Sequence, residues 1–238
     1  MGNYAEGSGR GGRLLLVAAT DFELTPLRRR LATLPGLDFL VCGVGPTATA
    51  ANLAAKLAVR QANPQTAYTG VILTGVAGAY LDTPAALLDT CLAEQEVLGD
   101  FGLESGRGAE PFPPERVPTR QSFDLASPLL AAAQKVLARL EIPFLNGCFV
   151  TVNTATASTA RGLALRDRFG GLCENMEGAA AALACEQAGL PLLEIRTVSN
   201  LVEDRNPARW RLVEAIARNS EVLARLIPEL LKADGDVR

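Results

Sequence analysis

Residues 14–19, Leu-Leu-Leu-Val-Ala-Ala, are apolar without a break, as in a strand covered on both faces. Polar positions follow, and a helix is predicted over 21–34, with Thr20 as its cap and Pro26 in its first turns. A second strand is read at 39–42, after which Gly43-Val44-Gly45-Pro46 turns into an Ala-rich helix ending near 61. Residues 71–74 form another buried strand closing on Gly75-Val76-Ala77-Gly78, and 90–98 a further one. The pattern breaks over 101–122, a Gly- and Pro-rich loop containing Pro111, Pro113, Pro114 and Pro118. It resumes with a helix from Ser127 to Leu140, a strand at 149–152, a polar turn at 153–158 and a short helix. A helix over 176–188 is closed by Gly189 and Pro191. The last core strand is 192–198, and a terminal helix runs from 209 to about 227, kinked or restarted at Pro228. No internal repeat interrupts this alternation. It predicts one three-layer α/β/α domain over 13–238.

Residues 1–12 are Gly-rich and aperiodic, and read as a disordered tail. They hold no apolar signal-peptide core, and Glu6 stands where myristoylation after Met1-Gly2 would want Ser or Thr. Composition is that of an ordinary globular chain, 48% hydrophobic and 21% charged. A net charge of -3 gives no footprint for nucleic acid, and no apolar run is long enough to span a bilayer. A cytoplasmic protein is expected. The five cysteines form no CxxC pair and read as reduced, buried thiols. The chain contains no histidine. That removes Ser-His-Asp and Cys-His catalysis and any familiar zinc ligand set, so neither metal nor cofactor is expected. Acid–base chemistry falls to carboxylates.

In α/β folds ligands gather at the carboxyl ends of strands. Four such ends carry polar or glycine punctuation here: 20–23, 43–47, 75–78 and Ser199-Asn200. Gly43-Val44-Gly45-Pro46-Thr47-Ala48 fits G-x-G-x-x-A, but no acidic residue follows before Asp82, so a tight strand-to-helix turn is the better reading than a dinucleotide site. The stretch Glu174-Asn175-Met176-Glu177-Gly178 puts a carboxylate at the head of an Ala-rich helix, and Arg196-Thr197-Val198-Ser199-Asn200 ends the next strand in a polar pair.

This layout resembles the nucleoside phosphorylase and nucleosidase superfamily, in which a ribose-binding Met-Glu precedes a base-binding Ser-Asp or Ser-Asn. The resemblance covers about 14–227 and implies a nucleoside phosphorylase-like domain with a central mixed sheet. By the same resemblance Glu23 holds and activates the attacking water. Simple stabilisation of the first helical turn is the other reading, and Asp21 the competing base. Glu177 would accept the 2'- and 3'-hydroxyls of ribose, with Met176 packed beneath the sugar and Gly78 and Ser199 in contact with substrate. Glu174 is read as structural. Asn200 stands where adenine-specific members carry Asp. An amide can donate its NH2 to a 6-oxo group while its carbonyl accepts from a protonated N7, so a 6-oxopurine is implied, though an Asn closing a strand in a turn is the plain alternative.

The segment Leu201-Val202-Glu203-Asp204-Arg205-Asn206, leading to Trp210, is similar to the futalosine hydrolases within that superfamily. Arg205 would then meet a substrate carboxylate, or else pair with Asp204 or Glu203. Phe101, Phe112 and Pro113 sit in a loop that covers the 5' side of the sugar in related dimers, so a homodimer or higher oligomer is implied. No arginine marks the strand ends 20–23 and 74–76, and Arg28, Arg29 and Arg30 read as a solvated face, which favours water over phosphate as nucleophile. The resemblance leaves three readings: hydrolysis of futalosine with release of hypoxanthine; another purine nucleosidase or phosphorylase, acting on inosine or methylthioadenosine; and a catalytically silent ligand-binding member of the fold.

Overall fold

The protein is described as a computed structural model covering residues 12–63, 66–105 and 108–233. Apart from Gly12, the expected tail lies outside the described residues. In chain order the elements are β1 (Leu14–Ala18), α1 (Asp21–Leu31), β2 (Leu37–Val41), α2 (Pro46–Gln61), β3 (Gly70–Tyr80), β4 (Thr90–Leu98), β5 (Leu103–Ser105), β6 (Gly108–Glu110), β7 (Ser122–Asp124), α3 (Pro128–Arg139), β8 (Leu145–Thr151), α4 (Thr159–Phe169), β9 (Gly171–Asn175), α5 (Gly178–Gln187), β10 (Leu192–Val202) and α6 (Leu212–Ala233).

The sheet is mixed, and part of it closes on itself. β3 pairs with β10 in parallel and with β9 antiparallel, β9 with β8 and β8 with β4 in parallel, and β4 with β10 antiparallel. These five strands form a ring, from which β1 and β2 extend as a parallel flank. Helices α1, α3 and α6 pack one face through Leu24, Leu27, Leu137, Leu223 and Leu226. Helices α2 and α5 cover the other through Leu53, Leu57, Ala181 and Cys185. The three-layer reading holds.

Two strands are longer than their sequence suggests. β3 runs for 11 residues, straight through the glycines that read as its end. Gly75, at φ +145°, is where it exchanges neighbours: β1 pairs with it up to Thr74, and β9 takes over at Gly78. A side chain could not sit there easily, because a Cβ would fall 2.5 Å from Glu23 Oε1. β10 likewise continues to Val202, with a register shift between Val198 and Asn200. Ser199 and Asn200 therefore lie inside a bulged strand, not in a turn.

Other boundaries shift too. α6 passes through Pro228 without a break, since one missing N–H among many is tolerated. The 101–122 loop contains the β5–β6 hairpin. Strand β9 had no counterpart in the hydrophobic pattern, because its last residues, Glu174 and Asn175, are polar yet buried.

Candidate active site

Between Thr74, where pairing with β1 ends, and Gly78, where pairing with β9 begins, the first turn of α1 reaches β3 through Glu23. Thr20 caps the helix through its hydroxyl, which accepts from Glu23 N at 3.3 Å, and Glu23 Oε2 answers by accepting from Thr20 N at 3.2 Å and Thr20 Oγ1 at 2.8 Å. The other oxygen, Oε1, accepts from Val76 N at 3.2 Å, an amide left free where β1 ends. Glu23 thus serves the helix cap and also fronts the cavity described below. Asp21, the competing base, is solvent-exposed, ion-paired with Arg28 at 3.0 Å and outside that cavity.

Glu177 reaches the same place from β9. It is the residue just before α5, with φ −129° and ψ −28°, and its side chain takes no part in capping. Asn175 caps in its stead: its Oδ1 accepts from Glu177 N at 2.8 Å and Gly178 N at 2.7 Å. The Glu177 carboxylate is thereby free to turn inward. There Oε1 accepts from Gly45 N at 3.1 Å and Oε2 from Arg196 Nη2 at 3.2 Å. Gly45, at φ +88°, belongs to the tight turn read from sequence, and it gives that turn an added task.

Arg196 received no role from sequence, being one polar residue in an apolar strand. It is nonetheless the cation at the centre of the site, only 2% exposed. Nε donates to Glu194 Oε1 at 2.7 Å, Nη1 to the Val76 carbonyl at 3.0 Å, and Nη2 to Glu177 and to Asn175 Oδ1. Burial opposes its charge, but Glu194, Glu177 and Glu23 outweigh it and hold the guanidinium firmly protonated.

On the opposite wall the β10 bulge lets two adjacent residues, Ser199 and Asn200, line one cavity, which a regular strand would forbid. Ser199 Oγ donates to Asn200 Oδ1 at 2.8 Å, while Asn200 Nδ2 donates to the Leu201 carbonyl at 3.2 Å. Gly78 pairs with Asn200 across the strands, and a Cβ there would fall 3.0 Å from Asn200 Nδ2.

These groups enclose a cavity of about 270 Å³, with Met176, Phe22, Val44 and Trp210 among its apolar walls. Glu174 also borders it, but its carboxylate is taken up by Thr156 N at 2.8 Å and Thr156 Oγ1 at 2.5 Å, as expected of a structural residue. Burial raises its pKa against those bonds. Arg205 does not line the cavity. It is exposed, and its guanidinium lies 5.7 Å from the ring centre of Trp210, which does line it. Neither expected carboxylate pairs with Arg205: Glu203 binds Arg209 at 3.1 Å and Asp204 accepts from Thr159 N at 2.9 Å. Phe101 and Phe112 meet edge to face at 5.7 Å, away from the cavity. All five cysteines are free thiols. Burial pushes Cys148 and Cys185 up to about 12, too high to supply a thiolate near neutrality. No described helix is long and apolar enough to cross a membrane.

The sequence profile of the phosphorylase superfamily matches residues 16–232. Futalosine hydrolase of Streptomyces coelicolor is 34% identical over 197 residues, which cover 82% of this chain and 80% of the relative. That of Thermus thermophilus is 35% identical over 204 residues, covering 85% and 84%. A 5'-methylthioadenosine/S-adenosylhomocysteine nucleosidase of a Shewanella species is 30% identical over 223 residues, 90% of each chain. Among solved structures, a futalosine hydrolase mutant of Helicobacter pylori superposes with a TM-score of 0.78 at 19% identity, covering 91% of this chain and 98% of the other, a likeness of fold. By its profile and these relatives, the chain belongs to the phosphorylase superfamily.

Proposed function

We propose that the chain is a nucleosidase that hydrolyses the N-glycosidic bond of futalosine, releasing hypoxanthine and leaving a ribosyl product with a free anomeric hydroxyl. The reading rests first on Arg196. Among the described residues it is the only arginine lining the cavity, and its donors are already committed to Glu194, Glu177, Asn175 and a backbone carbonyl. A phosphate nucleophile would find no free guanidinium and two carboxylates, Glu23 and Glu177, to repel it. Water meets neither obstacle.

In this reading Glu177 accepts the ribose 2'- and 3'-hydroxyls, a contact that strengthens as the sugar becomes cationic. Met176 packs under the sugar. Glu23 takes a proton from the attacking water as its oxygen bonds to the anomeric carbon and the bond to N9 of the base breaks. The electron pair leaves with the purine, and N7 is protonated through water. Ser199 orients the Asn200 amide by donating to its carbonyl oxygen, which supports Nδ2 as the donor to a 6-oxo group and the second lone pair of Oδ1 as the acceptor for N7–H. That orientation favours hypoxanthine over adenine, and so futalosine over the substrate named for the Shewanella relative. Trp210, with Arg205 stacked on it, stands at the wall where an aromatic carboxylate attached through the 5' position would lie.

The test is release of free base, followed chromatographically, from futalosine with and without phosphate. Hypoxanthine and a reducing ribosyl product should form at the same rate in both, with inosine a poor substrate because it lacks the 5' appendage. Dependence on phosphate, or cleavage of adenine nucleosides as fast as futalosine, would overturn the proposal.

A further inference from the structure

Behind the cavity lie two more carboxyl groups that face no solvent and no substrate. Glu96 on β4 and Glu194 on β10 are both 0% exposed. Glu194 spends Oε1 on Arg196, but its Oε2 is buried with no donor hydrogen reaching it when both acids are ionised. Glu96 accepts on both oxygens, from Asn175 Nδ2 at 2.5 Å and Thr151 Oγ1 at 2.7 Å. The two carboxyl groups meet beneath the first residue of α5. A Cβ on Gly178 would overlap Glu96 Oε1 and fall 2.5 Å from Glu194 Oε2.

Two ionised acids in that place would repel each other and leave a buried oxygen without a partner, each a large cost in a dry interior. A single proton removes both penalties. Burial first, and the neighbouring Glu194 second, raise the Glu96 pKa well above the usual carboxylate range.

We propose that Glu96 and Glu194 form an acid pair sharing one proton, and that this pair is a positioning element for Glu177. As a neutral acid, Glu96 donates to Glu194 and still accepts from Asn175, fixing which way the Asn175 amide faces. That amide caps α5 at Glu177 and Gly178. Glu194 accepts from Arg196 Nε, and Arg196 donates to Glu177 Oε2. Both routes end on the carboxylate assigned to the ribose hydroxyls. The titratable groups facing the pair are Arg196 from β10, Cys148 from β8 and Cys173 from β9. As pH rises and the shared proton is lost, a second buried anion forms against Glu194. The pair springs apart and Asn175 and Arg196 lose their anchor. The kinetic consequence rests on the nucleosidase reading, whereas the shared proton does not.

Glu194→Gln copies the shared proton: its carbonyl can accept from Arg196 Nε while its NH2 donates to the Glu96 oxygen that also accepts from Asn175, and only one ionisable acid remains. At neutral pH this variant should keep kcat/KM within about threefold of the parent, and its activity should persist at alkaline pH where the parent's declines. Glu96→Ala should raise KM and lower kcat together, by roughly 10- to 100-fold in kcat/KM. Independently of activity, infrared difference spectra of the full chain carrying isotope-labelled glutamate should show a protonated carboxyl C=O band at neutral pH that disappears in Glu194→Gln. Absence of that band overturns the shared proton even if Glu96→Ala fails to fold. A Glu194→Gln variant as impaired as Glu96→Ala, or one with the parent's alkaline decline, overturns the positioning role. Failure to cleave any nucleoside with the band present would overturn the nucleosidase reading and leave the acid pair standing.

Discussion

Glu23→Gln separates the helix cap that Glu23 makes from the general-base role proposed for it. In the parent, Oε2 receives Thr20 N and Thr20 Oγ1, and Oε1 receives Val76 N. The amide can keep its carbonyl oxygen on Val76 N, but its nitrogen cannot accept from Thr20 N. One half of the capping box is lost while the Thr20 hydroxyl still caps Glu23 N. Such a loss costs about 1 kcal/mol. In a chain of this size that lowers Tm by about 2–4 °C. Removing a general base instead slows turnover by about 10² to 10⁴. The two tasks therefore predict different pairs of numbers. Thermal unfolding of the variant should show the small decrease, and hypoxanthine release at saturating futalosine should show the large one, with KM little changed. A variant with slightly lowered Tm and a kcat within about threefold of the parent would reduce Glu23 to a helix cap and refute the assignment. Asp21 could not replace it, since it lies outside the cavity in an exposed ion pair with Arg28.

Glu177→Gln should raise KM and lower kcat together, and the parent should discriminate strongly against 2'-deoxy substrates; equal rates on ribo and deoxy forms would remove Glu177 from the sugar. The same variant loses a charge that faces Arg196, which keeps Glu194, so its unfolding free energy should fall by about 1–3 kcal/mol in denaturant titrations. Asn200→Asp should shift preference toward 6-aminopurine nucleosides, measured as the ratio of kcat/KM for the two bases; an unchanged ratio would mean that base selection lies elsewhere.

The alternation of strands and helices was legible because strands covered on both faces read as apolar runs, and β1 and α1 follow their residues closely. Strand ends were not. Gly75 and the Ser199-Asn200 pair carry the marks of turns, yet tertiary pairing across β3 and β10 keeps both segments extended. Glu23, Val44, Gly78, Ser199 and Asn200, which come from the four strand ends, line one cavity together with Met176 and Glu177. Arg205 and the Phe101–Phe112 pair lie outside it. Arg196, Asn175, Glu96 and Glu194 went unseen for a shared reason: each is a polar residue in a strand that otherwise reads as core, and the contacts that join them into one network cross between strands far apart in sequence. The Asn175–Glu96 bond, for example, spans 79 residues. No local pattern encodes such a partner. The absence of histidine was the best hint, since it required buried carboxylates to do something.

The closed ring of strands has a consequence for how the chain is made. β3 is synthesised early, but its long partner β10 comes more than a hundred residues later and is the last strand to arrive. Until then β3 and β4 each present an apolar edge with unpaired backbone groups, the kind of surface on which chains join wrongly. The same late strand brings Arg196, Ser199 and Asn200. A nascent chain therefore has no such cavity for a ligand to stabilise, and the step that seals the exposed edges is also the step that completes the cavity. Ligand can rescue a slow-folding chain only after β10 has docked, so added nucleoside should slow unfolding of the finished protein while leaving the rate of ring closure unchanged.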